Sequence, residues 1–198
     1  MHGNNPPNAQ PNAMPNAQPH WDLSVYDPLV KRTAPNTLSA ARKAAVTLEN
    51  AIRFDGSETG AFYGAAGNLI TRKVGTSNHV RFDQHELMGT NGSLFTHNHP
   101  NGLPFSPHDV EFAVQLGLVE VRAVTTYCRY ILQPNGTWPS WQSIESAFRR
   151  HIPAARQDVC ALVQSSQLAN GDIDKEFLHR LWVLTSNELQ LKYTREAS

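Results

Sequence analysis

The chain has 198 residues, 40% of them hydrophobic, enough for one globular domain with an appendage or for two very small domains. Seventeen Lys and Arg balance seventeen Asp and Glu, and this zero net charge excludes a protein held on nucleic acid or an anionic membrane by bulk charge. No apolar run approaches the roughly 18 residues that cross a bilayer.

Residues 1–20 are a Pro/Asn/Ala/Gln-rich segment, too poor in apolar surface to offset its ordering entropy, and read as a disordered low-complexity leader. Met1 to Gln10 lacks the apolar stretch of a secretory signal, and His2 and His20 are expected to be exposed. The only two cysteines, Cys128 and Cys160, lack CxxC spacing, so a reducing compartment is the default. The expected location is the cytoplasm, with export by a specialised machine as the other option.

Trp21 to Pro35 reads as an extended lead-in. A helix is predicted over Leu38–Phe54, capped by Thr37, with Leu38, Ala41, Ala45, Leu48 and Ile52 forming its buried stripe. Strands follow at Gly60–Tyr63 and Leu69–Val74, around the turn Ala66-Gly67-Asn68, and a third at His79–Phe82. Asp83 and Glu86 have capping-box spacing and predict a short helix over Asp83–Met88. A strand over Gly92–His97 runs into a turn-rich loop, His99–Phe105. Ser106 then starts a helix with Pro107 in its first turn and Gly117 at its end. Val119–Thr126 and Cys128–Leu132 are β-branched and aromatic and predict two further strands.

Beyond Pro134-Asn135-Gly136 the pattern reads as wholly helical, over Trp141–His151, Ala155–Gln164 and Asp174 to about Leu191, with Phe177, Leu181, Leu184 and Leu191 as the last buried stripe. Trp138 and Trp141 are expected to fasten this tail to the sheet. The predicted fold class is therefore α+β, resembling an α/β/α sandwich, with a mixed sheet flanked by helices and a C-terminal helical extension. Residues 21–137 would form the main domain and residues 138–198 the extension packed on it.

The chemistry concentrates in Thr96-His97-Asn98-His99-Pro100 and Ser106-Pro107-His108-Asp109. Residues i and i+2 of a strand share a face, so His97 and His99 can aim two imidazoles at one point. Asp109, in the first turn of the next helix, can fold back onto them. Two imidazoles and one carboxylate leave a tetrahedral zinc with one open position, the arrangement of a catalytic ion. Ser106 and Asp109 also fit helix capping alone, without any metal. Asn98 would face the opposite side of the strand in a structural role. His79, His85 and His108 read as strand-end or surface residues, and Arg149, Arg150, His151 and Arg156 as a solvated basic face rather than a nucleic-acid contact.

The pattern His-x-His-Pro, loop, Ser-x-x-Asp resembles the signature of the JAMM (JAB/MPN) metalloprotease superfamily, and Thr-His-Asn-His-Pro is closest to its RadC-like and phage- or toxin-associated branches. The resemblance spans residues 38–133. It implies zinc on His97, His99 and Asp109, with Ser106 stabilising the tetrahedral intermediate. Ser57-Glu58-Thr59-Gly60 is similar to the family's first-strand Glu-x-x-Gly, which implies that Glu58 is the general base. Two departures stand out: the loop before Ser106 is one residue short, and Glu58 and Gly60 are one residue closer together. Glu49, expected to face solvent, and Glu86, expected to cap a helix, are the competing carboxylates.

The implied activity is hydrolysis of a peptide or isopeptide bond in a protein or peptide substrate, a ubiquitin-like tail being one option. The alternatives are a RadC-like or phage-derived protein-binding module whose metal is structural or absent, and a metal-dependent nuclease or toxin domain. Neither nucleic acid nor membrane is an expected partner.

Overall fold

A computed structural model describes residues 37–198. The leader of residues 1–20 and the lead-in to Pro35 lie outside the described residues. The chain forms α1 (Ala40–Ile52), β1 (Thr59–Tyr63), β2 (Leu69–Val74), β3 (Leu94–Asn98), α2 (Pro107–Leu116), β4 (Glu120–Val124), β5 (Cys128–Gln133), α3 (Trp141–Gln164), a 3-10 turn (Asn170–Asp172), α4 (Ile173–Leu189) and β6 (Lys192–Ala197). The six strands make one sheet in the order β2-β1-β3-β4-β5-β6. Every neighbouring pair is antiparallel except β3 and β4, whose parallel pairing is bridged by the α2 crossover. The fold is α+β, as the sequence predicts.

Helices cover both faces, so β1, β3 and β4 are buried along their whole length. On one face α1 packs Ala41, Ala45, Leu48 and Ile52 against Ala61, Tyr63, Leu94 and Val124. On the other, Phe62, Phe95, Tyr130 and Leu132 meet Val110 of α2, Ile144 and Val159 of α3, and Trp182 of α4. Strand alternation sends Phe95 and His97 to this second face and Thr96 and Asn98 to the first.

The local signals held where a cap and a period agreed. Ser106 and Asp109 form a reciprocal capping box at the start of α2, and Gly117, at φ 62°, ends it in the left-handed conformation that glycine adopts without steric cost. α1 starts two residues later than predicted, because Ser39 and not Thr37 accepts a bond from Arg42 N.

Four expectations are corrected. Residues 79–82 form no strand; they lie over β1 without joining a ladder. Residues 83–88 form no helix, the segment 84–89 being turns, although Glu86 Oε2 accepts the Asp83 N–H at 2.7 Å. That bond satisfies one donor, but the segment is too short to offset helix nucleation. The two helices predicted around Pro153 are one helix, α3, since Pro153 lies on its exposed side and packing against α4 holds both flanks. Nor is the C-terminal region wholly helical. Gln190, at φ 57°, ends α4, and β6 then pairs antiparallel with β5, Arg195 opposite Tyr130. Among the described residues, no helix is long and apolar enough to cross a membrane.

Candidate metal centre

β3 delivers the first imidazole. His97 pairs with Gly60 of β1 and Ala123 of β4, which fixes its direction, and it is 1% exposed. His99 continues the strand's path, its N–H bonding to Val124 O at 2.9 Å, and is 7% exposed. Its Nδ1 lies 2.9 Å from Leu103 O and 3.1 Å from Pro104 O, so the ring proton sits on Nδ1 and the Nε2 lone pair is free for a ligand. The tight loop that follows brings Asp109 back. Ser106 donates to Asp109 Oδ2 from its main-chain N at 2.7 Å and from Oγ at 2.8 Å.

The three side chains converge. His97 Nε2 and His99 Nε2 are 2.8 Å apart, His97 Nε2 and Asp109 Oδ1 3.3 Å, and His99 Nε2 and Asp109 Oδ2 3.5 Å. A tetrahedral ion with ligand bonds of about 2.0 Å needs ligand atoms about 3.3 Å apart, so the triangle has the size such an ion requires. Among the described residues this is the one cluster of three such donors, and it can hold a metal ion. The charges of the three groups act strongly on one another. Burial acts to raise the Asp109 carboxyl, but His97 and His99 hold it well below the usual carboxylate range. Burial and His97 together push His99 down, which keeps it neutral as a ligand must be. His97 is raised despite its burial because the Asp109 and Glu58 carboxylates face it.

Glu58 lies in the same cleft as the triad. Burial raises its pKa, partly countered by His97 and reinforced by Asp109. Its placement depends on Asn98, whose side chain points to the other face of β3 as alternation requires. Asn98 Oδ1 accepts the Thr59 N–H at 2.6 Å and Nδ2 donates to Ser57 O at 3.0 Å. Asn98 thereby grips the residues on either side of Glu58, a role the sequence reading left as merely structural.

Glu49 is corrected outright. It is 0% exposed and, on the opposite face of the sheet, accepts from Thr96 Oγ1, Arg122 Nε and Arg129 Nε at 2.6–2.8 Å. The pattern of its own helix alone predicts a glutamate facing solvent. Its partners lie on β3, β4 and β5. Glu86 pairs with Lys73 at 2.7 Å and does not line the cleft. His108 has a side chain 93% exposed, at the rim of the cleft, and His79 lies at that rim as well. Arg149 pairs with Glu145, and Arg150 and His151 with Glu188, so these three side chains of the basic face are paired within the chain. Trp138 fastens the tail as expected, donating from Nε1 to Leu118 O at 2.6 Å.

The sequence reading missed two contributors. Leu178 of α4 lines the cleft. Trp182, one turn further along, donates from Nε1 to Phe105 O at 2.8 Å, just before Ser106. No spacing in the sequence signals either contact. No protein-family model, curated protein or solved structure matches the chain.

Proposed function

We propose that the protein is a zinc-dependent amidohydrolase of the JAMM type, cleaving a peptide or isopeptide bond with water. The observation that carries this reading is the His97, His99 and Asp109 triangle, with a buried carboxylate of raised pKa, Glu58, in the same cleft. Two imidazoles and one carboxylate suit zinc and leave one position open. Zinc bound there would polarise a carbonyl and make hydroxide available near neutral pH.

The chain's own groups supply the rest. Glu58, whose raised pKa suits reversible proton transfer, takes the proton from water and returns it to the leaving amine. Ser106, which lines the cleft, donates to the developing oxyanion when its hydroxyl turns away from Asp109, a contribution of roughly 3 kcal/mol in comparable sites. Asn98 keeps Glu58 in reach by holding Ser57 and Thr59.

Metal content by mass spectrometry is the first test. About one zinc per chain is expected in the wild type and none in a His97→Ala, His99→Ala double variant. Glu58→Gln should retain zinc yet lose at least about a hundredfold in hydrolysis of a peptide and isopeptide panel, in line with the general-base range. Wild-type protein that takes up no zinc would leave a binding module that shares only the pattern.

A further inference from the structure

The cleft over the triad has a volume of about 530 Å3 and is chemically divided. Its polar end holds Glu58, His97, His99 and Asp109. Beside them the cleft is lined by an apolar group: Val80, Phe82, Phe95, Leu103, Phe112 and Leu178. The two halves are directly joined, because the Phe95 ring stacks on the His97 imidazole with centroids 5.0 Å apart and an interplanar angle of 15°. Phe82 and Phe112 meet Phe95 edge-to-face at 6.0 and 5.6 Å, giving a rigid aromatic surface beside the ligands.

The wall is built by elements far apart in sequence, and Gly60 makes room for it. A Cβ at Gly60 would lie 3.0 Å from both Phe95 Cε2 and Val80 Cγ1 and 3.1 Å from Phe82 Cε2. A bare backbone opposite His97 is what lets residues 80–82 close over β1. Among the described residues Glu58 and Asp109 are the only carboxylates lining the cleft, and Arg81, His79 and His108 line it as well. Apart from those two, no carboxylate among the described residues lines the cleft to pair with a cationic side chain.

We infer that this site takes a substrate residue with an aliphatic or aromatic side chain next to the scissile amide, the side chain lying on the Phe82, Phe95 and Phe112 surface while the carbonyl reaches the triad. The inference rests on the zinc amidohydrolase reading and names its substrate class. A glycine at that position would leave the wall in water, and a lysine would bury an uncompensated charge.

Amino acid hydroxamates test it, because the hydroxamate binds zinc and the side chain reports on the wall. Their affinities for the zinc-loaded full chain are measured by titration calorimetry, with acetohydroxamate as the reference. Phenylalanine and leucine hydroxamates should bind at least about tenfold more tightly than the glycine compound, the scale of discrimination by an apolar pocket, and the lysine compound no better than glycine. Phe112→Ala and Leu178→Ala, from two different helices, should each narrow the phenylalanine-to-glycine ratio at least threefold. Equal affinities across the series, with acetohydroxamate still bound, would overturn the apolar pocket and leave the hydrolase reading standing. Failure of acetohydroxamate to bind would remove the open metal position and both readings with it.

Discussion

At the scale of single residues, the same strand serves two purposes on its two faces. His97 looks into the cleft, whereas its neighbours Thr96 and Asn98 look the other way, one to Glu49 and one to the segment that carries Glu58. Glu49 anchors Arg122 and Arg129 while fully buried; burial alone would raise its pKa, but the two guanidinium groups hold it below its ordinary value. Glu49→Gln therefore leaves two cations with too little countercharge in a dry interior. The expected loss is about 3–5 kcal/mol, read from urea denaturation. His179 of α4 presents a different case. Burial holds it well below the usual histidine value, helped by Arg195 and Arg180. The unfolded chain protonates first, so this contribution to stability is intact above about pH 6.5 and is lost as the pH falls below it. Between pH 7.5 and 5.5 the wild type should lose about 1.4 kcal/mol more than His179→Gln, whose side chain does not titrate.

At the scale of elements, α4 matters to a loop it does not follow. Trp182 is buried against Phe148, with ring centroids 4.7 Å apart, and holds the Phe105 carbonyl. Phe105 immediately precedes the capping box that fixes Asp109. Trp182→Phe keeps an aromatic ring but leaves that carbonyl without its donor. The expected cost is about 1–3 kcal/mol in urea denaturation. Competition with a chromophoric chelator should show a several-fold weaker affinity for zinc, an effect that stability loss alone would not produce in the folded population. The short loop from Pro100 to Ser106 is legible in sequence as a turn. What the sequence does not reveal is the tryptophan, more than seventy residues later, that holds the end of that loop in place.

At the scale of the whole molecule, the last sixty residues complete the sheet as well as covering it. β6 closes the edge beside β5, and Arg195 on it forms a fully buried pair with Glu176 of α4 at 2.8 Å. A chain ended at Thr137 would expose that edge and the apolar face of Phe105, Tyr130 and Leu132. Such a truncation should show no cooperative thermal transition, whereas the full chain should show one by calorimetry. β6 escaped prediction because Lys-Tyr-Thr-Arg-Glu-Ala, with charges at Lys192, Arg195 and Glu196, shows no apolar-polar alternation. The inward arginine is admissible only because Glu176 waits for it, which no window of six residues can reveal.

The sequence by itself determined the elements whose causes are local. Caps at Ser106 and Gly117, the stripe of α1 and the two-residue spacing of His97 and His99 follow from neighbours within a few positions. Alternation along β3 likewise separated the faces of His97 and Asn98. Tertiary structure alone decided the rest: that Glu49 is buried, that residues 79–82 are a wall and not a strand, that Pro153 lies within a single helix, and that a sixth strand follows α4. In each case the stabilising partner, whether a guanidinium, an aromatic ring or a sheet edge, comes from a distant part of the chain. Only folding brings such partners together, so their energies leave no local period in the sequence.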